Sequence, residues 1–446
     1  MTRYTASRTP HHLGPAAWNA ILPAQDAAER LEGNATADFA VIGAGFAGLS
    51  AARRLTQLAP GARIAVLDAG RIAEGAAGRN SGFMIDLPHE LTSEDYAGTG
   101  DDRAMIALNR MAQAFGREAV AQYGIDPAFF DPAGKVNGAA SAAAHAHIES
   151  YARHLASLDE PSEMLDAQAM RELTGSAHYR SGLYTPGTVM LQPAGYVRGL
   201  AAGLRRDDVA IFEESPVTGF AREGAAWRIE TPQGDLSAGK VILTVNGHLE
   251  SFGIARDRLM QIFLFATMTP DLDADTLKRL GGQSRWGVTP SDPMGTTMRR
   301  IDRGQGGNRI VTRTCAVLRP GMVPRQSDLA RAARVMRRKF DQRFAQLAGM
   351  EMAHFWAGHL CLSLNGVSVM REIEPGLYAG CVQNGLGTAR GTLTGIGAAE
   401  LACGQASAIT RHFTAEPAPK RLPPQPFREI GANAVLRWKE WRAGAE

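Results

Sequence analysis

Residues 37–68 constrain this chain more than any other stretch. Ala37-Asp38-Phe39-Ala40-Val41-Ile42 has the character of a buried strand and runs directly into Gly43-Ala44-Gly45-Phe46-Ala47-Gly48. A small-residue segment of helical character follows to Leu58, and Arg63-Ile64-Ala65-Val66-Leu67-Asp68 reads as a second strand ending in an acid. Each glycine of this strand–turn–helix–strand unit has its own task. Gly43 permits the tight turn, Gly45 lets main chain approach a pyrophosphate, and Gly48 lets the helix pack on the strand. The diphosphate then meets the positive end of the helix, where Phe46 and Ala47 supply the first free N–H groups. Asp68, twenty residues beyond Gly48, is positioned with Ala69 for the ribose 2′-hydroxyl. An acid there favours the unphosphorylated ribose of FAD or NAD over NADP.

At 446 residues with 45% apolar and 21% charged content, the chain is long enough for two or three domains with a large core. A net charge of +3 is near neutral for this length and gives no reason to expect nucleic acid or an anionic membrane as partner. The four cysteines, Cys315, Cys361, Cys381 and Cys403, form no C-x-x-C pair and no metal-ligand spacing with histidine. They read as reduced thiols of a cytoplasmic protein, with no metal expected. Residues 1–33 carry no secretory-signal pattern, and no run reaches the ~18 apolar residues of a membrane span.

Along the chain, residues 1–35 read as an arm lying over the first domain, anchored by Trp18. The loop Glu74-Gly75-Ala76-Ala77-Gly78-Arg79-Asn80-Ser81-Gly82 follows the ribose strand and is a candidate to face a second phosphate or a polyol. From 92 to about 179 the periodicity is helical, and His145 and His147, two residues apart, suit no shared metal. Tyr184 to Leu204 reads as a short strand, a turn and the start of a helix. Residues 213–247 form a three-strand meander ending in the buried strand Lys240-Val241-Ile242-Leu243-Thr244-Val245-Asn246-Gly247, which returns the chain to the first sheet. In the next insertion, residues 261–267, 296–301 and 308–314 read as strands and 328–348 as an amphipathic helix with a solvated basic face. Finally, Tyr378-Ala379-Gly380-Cys381-Val382-Gln383-Asn384-Gly385-Leu386-Gly387-Thr388 reads as strand and glycine loop before a small-residue helix whose N-terminus points at the same ligand. The segment from 414 is a proline-rich tail ending in, at most, a surface helix.

Taken together, these residues resemble the FAD-dependent D-amino-acid oxidase superfamily, which includes glycine and sarcosine oxidases, and within it the γ-glutamylputrescine-oxidase-like branch. The resemblance spans residues 36–412. It implies AMP contacts at Gly43, Gly45, Gly48 and Asp68, and pyrophosphate or ribityl contacts at Ala77, Gly78, Arg79, Asn80, Ser81 and Gly82. It further implies a main-chain contact from Val217 to the adenine side, Asn246 and Gly247 beside the cofactor, and Asn384, Gly385, Leu386, Gly387 and Thr388 beside the isoalloxazine. The chain departs from the family pattern in two places. Asp68 stands where glutamate is common, and the usual Asp-x-x-Pro segment is Leu364-Asn365-Gly366-Val367-Ser368-Val369. No cysteine or histidine matches the covalent flavin attachment of sarcosine-oxidase relatives, so FAD is expected to be non-covalent.

The expected fold is α/β: a discontinuous Rossmann-like FAD-binding domain (36–90, 190–250, 357–413) with an inserted α+β substrate domain built on a mainly antiparallel sheet (91–189, 251–356). The expected activity is oxidation of a C–N bond of an amine or amino-acid-like substrate to an imine, then carbonyl plus amine, by hydride transfer to flavin N5, with oxygen or another acceptor taking the electrons. A flavin-carrying subunit of a larger amine dehydrogenase complex and an NAD-dependent dehydrogenase are the alternatives. For a substrate carboxylate the candidates are Arg299, Arg300, Arg313 and Arg390, with His359 and Tyr378 as active-site neighbours.

Overall fold

The computed structural model describes residues 2–88 and 101–446. Among these, the strands form sheets of nine, eight and three. The nine-stranded sheet has a parallel centre in which Ala210–Phe212, Ile64–Leu67, Gly33–Ile42, Gly234–Leu243 and Leu377–Cys381 lie side by side. Ile64–Leu67 and Leu377–Cys381 are buried throughout, which is why they read as continuous apolar runs. The meander Gly219–Glu223, Ala226–Glu230 and Gly234–Leu243 extends the sheet antiparallel, and Arg3–Thr5 of the N-terminal arm adds an edge strand. Trp18 is fully buried, with its indole N–H donated to the Asn80 carbonyl at 2.8 Å.

Two helices with small-residue faces lie together on this sheet. Phe46–Leu58 follows the glycine turn, and Ala389–Ala402 follows the second glycine loop. They approach so closely that a Cβ on Gly395 would overlap the Ala47 carbonyl oxygen. In the same way a Cβ on Gly48 would overlap the Gly43 carbonyl oxygen.

The eight-stranded sheet runs in the order His354–Ser363, Leu259–Met268, Arg309–Leu318, Thr297–Ile301, Trp286–Pro290, Lys135–Ala139, Ser181–Thr185, Glu163–Leu165. All pairings are antiparallel except Trp286–Pro290 with Lys135–Ala139. Residues 357–363, assigned to the cofactor section from sequence, are hydrogen bonded into this second sheet. The region expected to be helical to 179 contains helices Asp102–Tyr123, Ala142–Ser157 and Ala167–Thr174, but also the strands Lys135–Ala139 and Glu163–Leu165. Its first residues, 92–100, lie outside the described residues. Local periodicity misses these strands because their pairing partners lie elsewhere in the chain.

The helix Gln326–Arg343 packs Ala332 and Met336 against Phe263, Phe265, Cys315 and Val317 on one face of this sheet. Its basic residues are not simply solvated. Arg331 pairs with Glu440, while Lys339 and Arg343 are buried and donate to the main chain of residues 444–446. The segment read as a tail is thereby drawn onto the sheet, where Phe427–Ala443 is a regular helix. Among the described residues no helix is long and apolar enough to cross a membrane.

Candidate active site

A cavity of ≈650 Å³ lies between the two large sheets, and its wall begins at the glycine turn. Gly43, Gly45, Phe46, Ala47, Asp68, Ala69, Ala77, Arg79, Asn80, Ser81 and Val217 line one end. Asn246, His359, Gly385 and Gly387 line it further on. Gly48, Gly78, Gly82, Gly247, Asn384, Leu386 and Thr388, all expected at the cofactor, are not in the wall. Several of them support it instead. The Asn384 side chain accepts from Ser363 N and donates to the Val367 carbonyl, and the Thr388 hydroxyl donates to the Phe83 carbonyl.

Four of the candidates, Arg299, Arg300, Tyr378 and Arg390, do not reach the cavity. Arg299 is buried at 1% exposure and is spent on the carbonyls of Ser81, Gly82 and Leu191 and on Gln305 Oε1, bracing the 75–82 loop from behind. Arg300, next on the same strand, faces the other way and donates to the Gly281 carbonyl. Tyr378 points into the packed core of the nine-stranded sheet, and burial with Glu372 beside it pushes its hydroxyl up to about 12. Arg390 is tied to Ser368 and Glu416.

Asp68 sits at the strand end with both carboxylate oxygens in use: Oδ1 accepts from Gly70 N at 2.9 Å and Oδ2 from Ala44 N at 2.7 Å. Each oxygen retains a lone pair, so a ribose hydroxyl can still donate to it. Burial raises the Asp68 pKa, and the amides of Gly70 and Ala44 work against that rise. A Cβ on Gly45 would find nothing nearer than Ala77 Cβ at 3.7 Å, so the space over the helix N-terminus belongs to the cavity. A Cβ on Gly387 would meet nothing within 4 Å. Bare main chain at two helix starts, an acid at the ribose position and a cavity within the range of cofactor sites are the features a flavin dinucleotide requires. The Arg79 guanidinium, in the wall of the cavity, is engaged with main chain. It donates to the carbonyls of Glu74, Leu13, Gly14 and Ala357 and so locks the loop to the arm and to the second sheet.

The second sheet contributes Met260, Ile262, Leu264, Ala266, Arg313, Ala316, Leu360 and Leu362 from one face, and His359, paired with Phe263, from the other. His359 Nε2 lies 2.9 Å from Gln261 Oε1, and the Gln261 amide nitrogen donates to the Gly247 carbonyl and to Glu250 Oε2. That network assigns the amide orientation, puts the proton on Nε2 and leaves Nδ1 as an acceptor. Burial, with His248 and His12 nearby, holds His359 neutral down to about 3. His12 and His248, also in the wall, are held down to about 4, chiefly by burial.

Arg313 reaches the cavity because of a β-bulge. The pairing of Leu259–Met268 with Arg309–Leu318 shifts between Leu264 and Phe265, leaving Cys315 as the extra residue with φ of 63°. Strict alternation would send Arg313 and Ala316 to opposite faces, whereas the bulge puts both in the wall. Among the described residues Arg313 makes no hydrogen bond or ion pair, and burial alone lowers its pKa to about 10, leaving it a cation at neutral pH.

Sequence reasoning missed the last part of the wall: Gly431, Ala432, Val435, Leu436 and Lys439 of the helix Phe427–Ala443. Their spacing is that of one helical face. The signal was present, but so short a stripe after a proline-rich stretch gives no indication of what it covers.

The fold and this cavity define a dinucleotide-binding α/β protein whose ligand is enclosed between a Rossmann-like sheet and a second, largely antiparallel one. Residues 38–401 match the family model described as FAD dependent oxidoreductase (DAO), and the chain belongs to that family. It is similar to the probable oxidoreductase OrdL of Rhizobium meliloti, at 25% identity over 419 residues, 90% of this chain and 91% of the relative. Similarity to the γ-glutamylputrescine oxidoreductase of Escherichia coli is 24% over 355 residues, covering 78% and 80%. The fold resembles glycine oxidase from Geobacillus kaustophilus with a TM-score of 0.68 at 17% identity, covering 84% of this chain and 96% of that one. The protein is therefore an FAD-dependent oxidoreductase of amine or amino-acid substrates.

Proposed function

We propose that this enzyme oxidises the C–N bond of an amine that also carries a carboxylate, giving an imine that hydrolyses to carbonyl plus amine. FAD, when bound, would supply a two-electron acceptor for the hydride equivalent lost beside the nitrogen, with oxygen or another acceptor as the final electron sink. Gly43, Gly45, Phe46 and Ala47 would hold its diphosphate, Asp68 its ribose, and Gly385 and Gly387 its ring.

The observation that carries the reading is Arg313, a charged, half-buried guanidinium that faces the cavity and has no partner among the described residues. A guanidinium left desolvated and unpaired is costly, and a substrate carboxylate relieves that cost with a two-pronged hydrogen bond. The rest of the lining favours the neutral amine that hydride loss requires. Among the described residues Asp68 is the only carboxylate in the wall, and it belongs to the ribose end. The imidazoles of His359, His248 and His12 stay neutral and offer an ammonium no counter-charge. Ile262, Leu264, Leu360 and Leu362 add an apolar stretch to the lining that would limit water beside a bound amine.

The test is the visible spectrum of the purified protein before and after anaerobic addition of a pool of amines, amino acids and N-alkyl amino acids. Flavin bands that bleach with carboxylate-bearing amines support the reading. Bands that bleach only with amines lacking a carboxylate, or with none of the pool, refute it.

A further inference from the structure

Among the described residues the cavity wall carries five fixed cations, and three of them are already engaged. Arg8 donates to the Pro320 carbonyl, Arg71 is paired with Glu213, and Arg79 is held by main-chain carbonyls. Arg313 and Lys439 remain, and among the described residues neither makes a hydrogen bond or ion pair. The two come from different parts of the chain but are held in register. Glu440 Oε1 accepts from Ala316 N at 2.9 Å, the Arg437 guanidinium donates to the Ala316 carbonyl, and the Asn433 side chain bonds both main-chain groups of Leu318. This face of the helix, Asn433, Arg437 and Glu440, fixes it along the strand. The adjacent face, Ala432, Val435, Leu436 and Lys439, is turned to the cavity. Lys439 is thus anchored beside Ala316, which pairs with Leu264 while Arg313 pairs with Ala266, so the two sites are about 7 Å apart along a strand rising ~3.3 Å per residue. Ile262, Leu264, Ala432 and Leu436 belong to one apolar cluster around Ala316.

We infer that Lys439 is a second anion contact, so that the preferred substrate carries one carboxylate for Arg313, an apolar spacer, and a second anionic group for Lys439. This rests on the carboxylate-bearing substrate class proposed above and narrows it to dianionic amines.

The test uses the FAD-loaded full-length protein and non-oxidisable probes, with the shift of the flavin bands on titration as readout and thermal stabilisation as a second. Succinate, glutarate and adipate are compared with butyrate, valerate and hexanoate on wild type and on Lys439→Gln and Lys439→Arg. A member of the dicarboxylate series should bind wild type about tenfold tighter than its monocarboxylate partner, the size of one charge-assisted contact at a half-exposed site. Lys439→Gln should abolish that ratio with monocarboxylate affinity unchanged, and Lys439→Arg should keep most of it. Equal binding of the two series, or a ratio that survives in Lys439→Gln, overturns this inference and leaves the carboxylate reading standing. If neither series perturbs the flavin or the melting temperature, the carboxylate reading fails first and this inference with it.

Discussion

At the scale of single residues, the glycines of the first turn separate folding from ligand binding. A Cβ at Gly45 contacts only Ala77 at 3.7 Å, and its φ of −86° suits any residue. Gly45→Val should therefore fold with wild-type stability and lose flavin, because the added methyls fill the place of the diphosphate; absorbance at the flavin bands relative to protein measures it. Gly48→Ala should do the reverse, destabilising the protein by a few kcal/mol through overlap with the Gly43 carbonyl. Arg313→Met should raise KM for carboxylate-bearing amines by roughly 10- to 150-fold, equivalent to ~1.5–3 kcal/mol for a charged hydrogen bond, with a smaller effect on kcat. Steady-state kinetics on the amine identified from the pool would settle this. The roles of Arg299 and Arg313 were not separable in the sequence, since both are arginines in strands of one sheet. One braces the loop behind the cavity and the other enters it, and the difference arises from strand register and a bulge at Cys315.

At the scale of elements, the helix Phe427–Ala443 is the piece whose importance was least visible. Its attachment is shared: Glu440 pairs with Arg331 and accepts from the buried Ala316 N–H, Glu429 pairs with Arg319 and Arg325, and Asn433 bonds both main-chain groups of Leu318. Glu440→Ala should leave that N–H and the Arg331 guanidinium unsatisfied and cost about 1–3 kcal/mol, read as a lower denaturation midpoint. The same variant should weaken dicarboxylate binding through loss of Lys439 positioning, and flavin content should stay at the wild-type level because the helix touches none of the glycine turns. The basic helix Gln326–Arg343, which looked like a solvated face, receives this C-terminal segment through Arg331, Lys339 and Arg343. Its apolar spacing was legible. Which charges turn toward another element was not, because a helical repeat is silent about what packs beside it.

At the scale of the whole molecule, the cavity joins the N-terminal arm, the first sheet and the second, and His12 comes from the arm, His248 from the turn after the strand Gly234–Leu243 and His359 from the second sheet. All three titrate in the folded protein far below the ordinary 6.5, at about 4, 4 and 3. As pH falls through 6.5 the unfolded chain takes up protons that the folded protein refuses, so stability is lost from about pH 6.5 downward, by at most ~1.4 kcal/mol per pH unit for each histidine. Denaturant unfolding at pH 7.5, 6 and 5 should show this decline, and His248→Asn should make it shallower. The βαβ unit, the acid at 68, the meander and the second glycine loop could all be read from sequence, because a turn that needs bare main chain and a strand that needs apolar runs state their requirements locally. The wall facing the glycine turns could not. Arg313 and Lys439 enter it through a bulge and the docking of a distant helix, and His359 enters it from the other face of the same sheet; which side of a strand or helix meets a cavity is decided by partners far away in the chain.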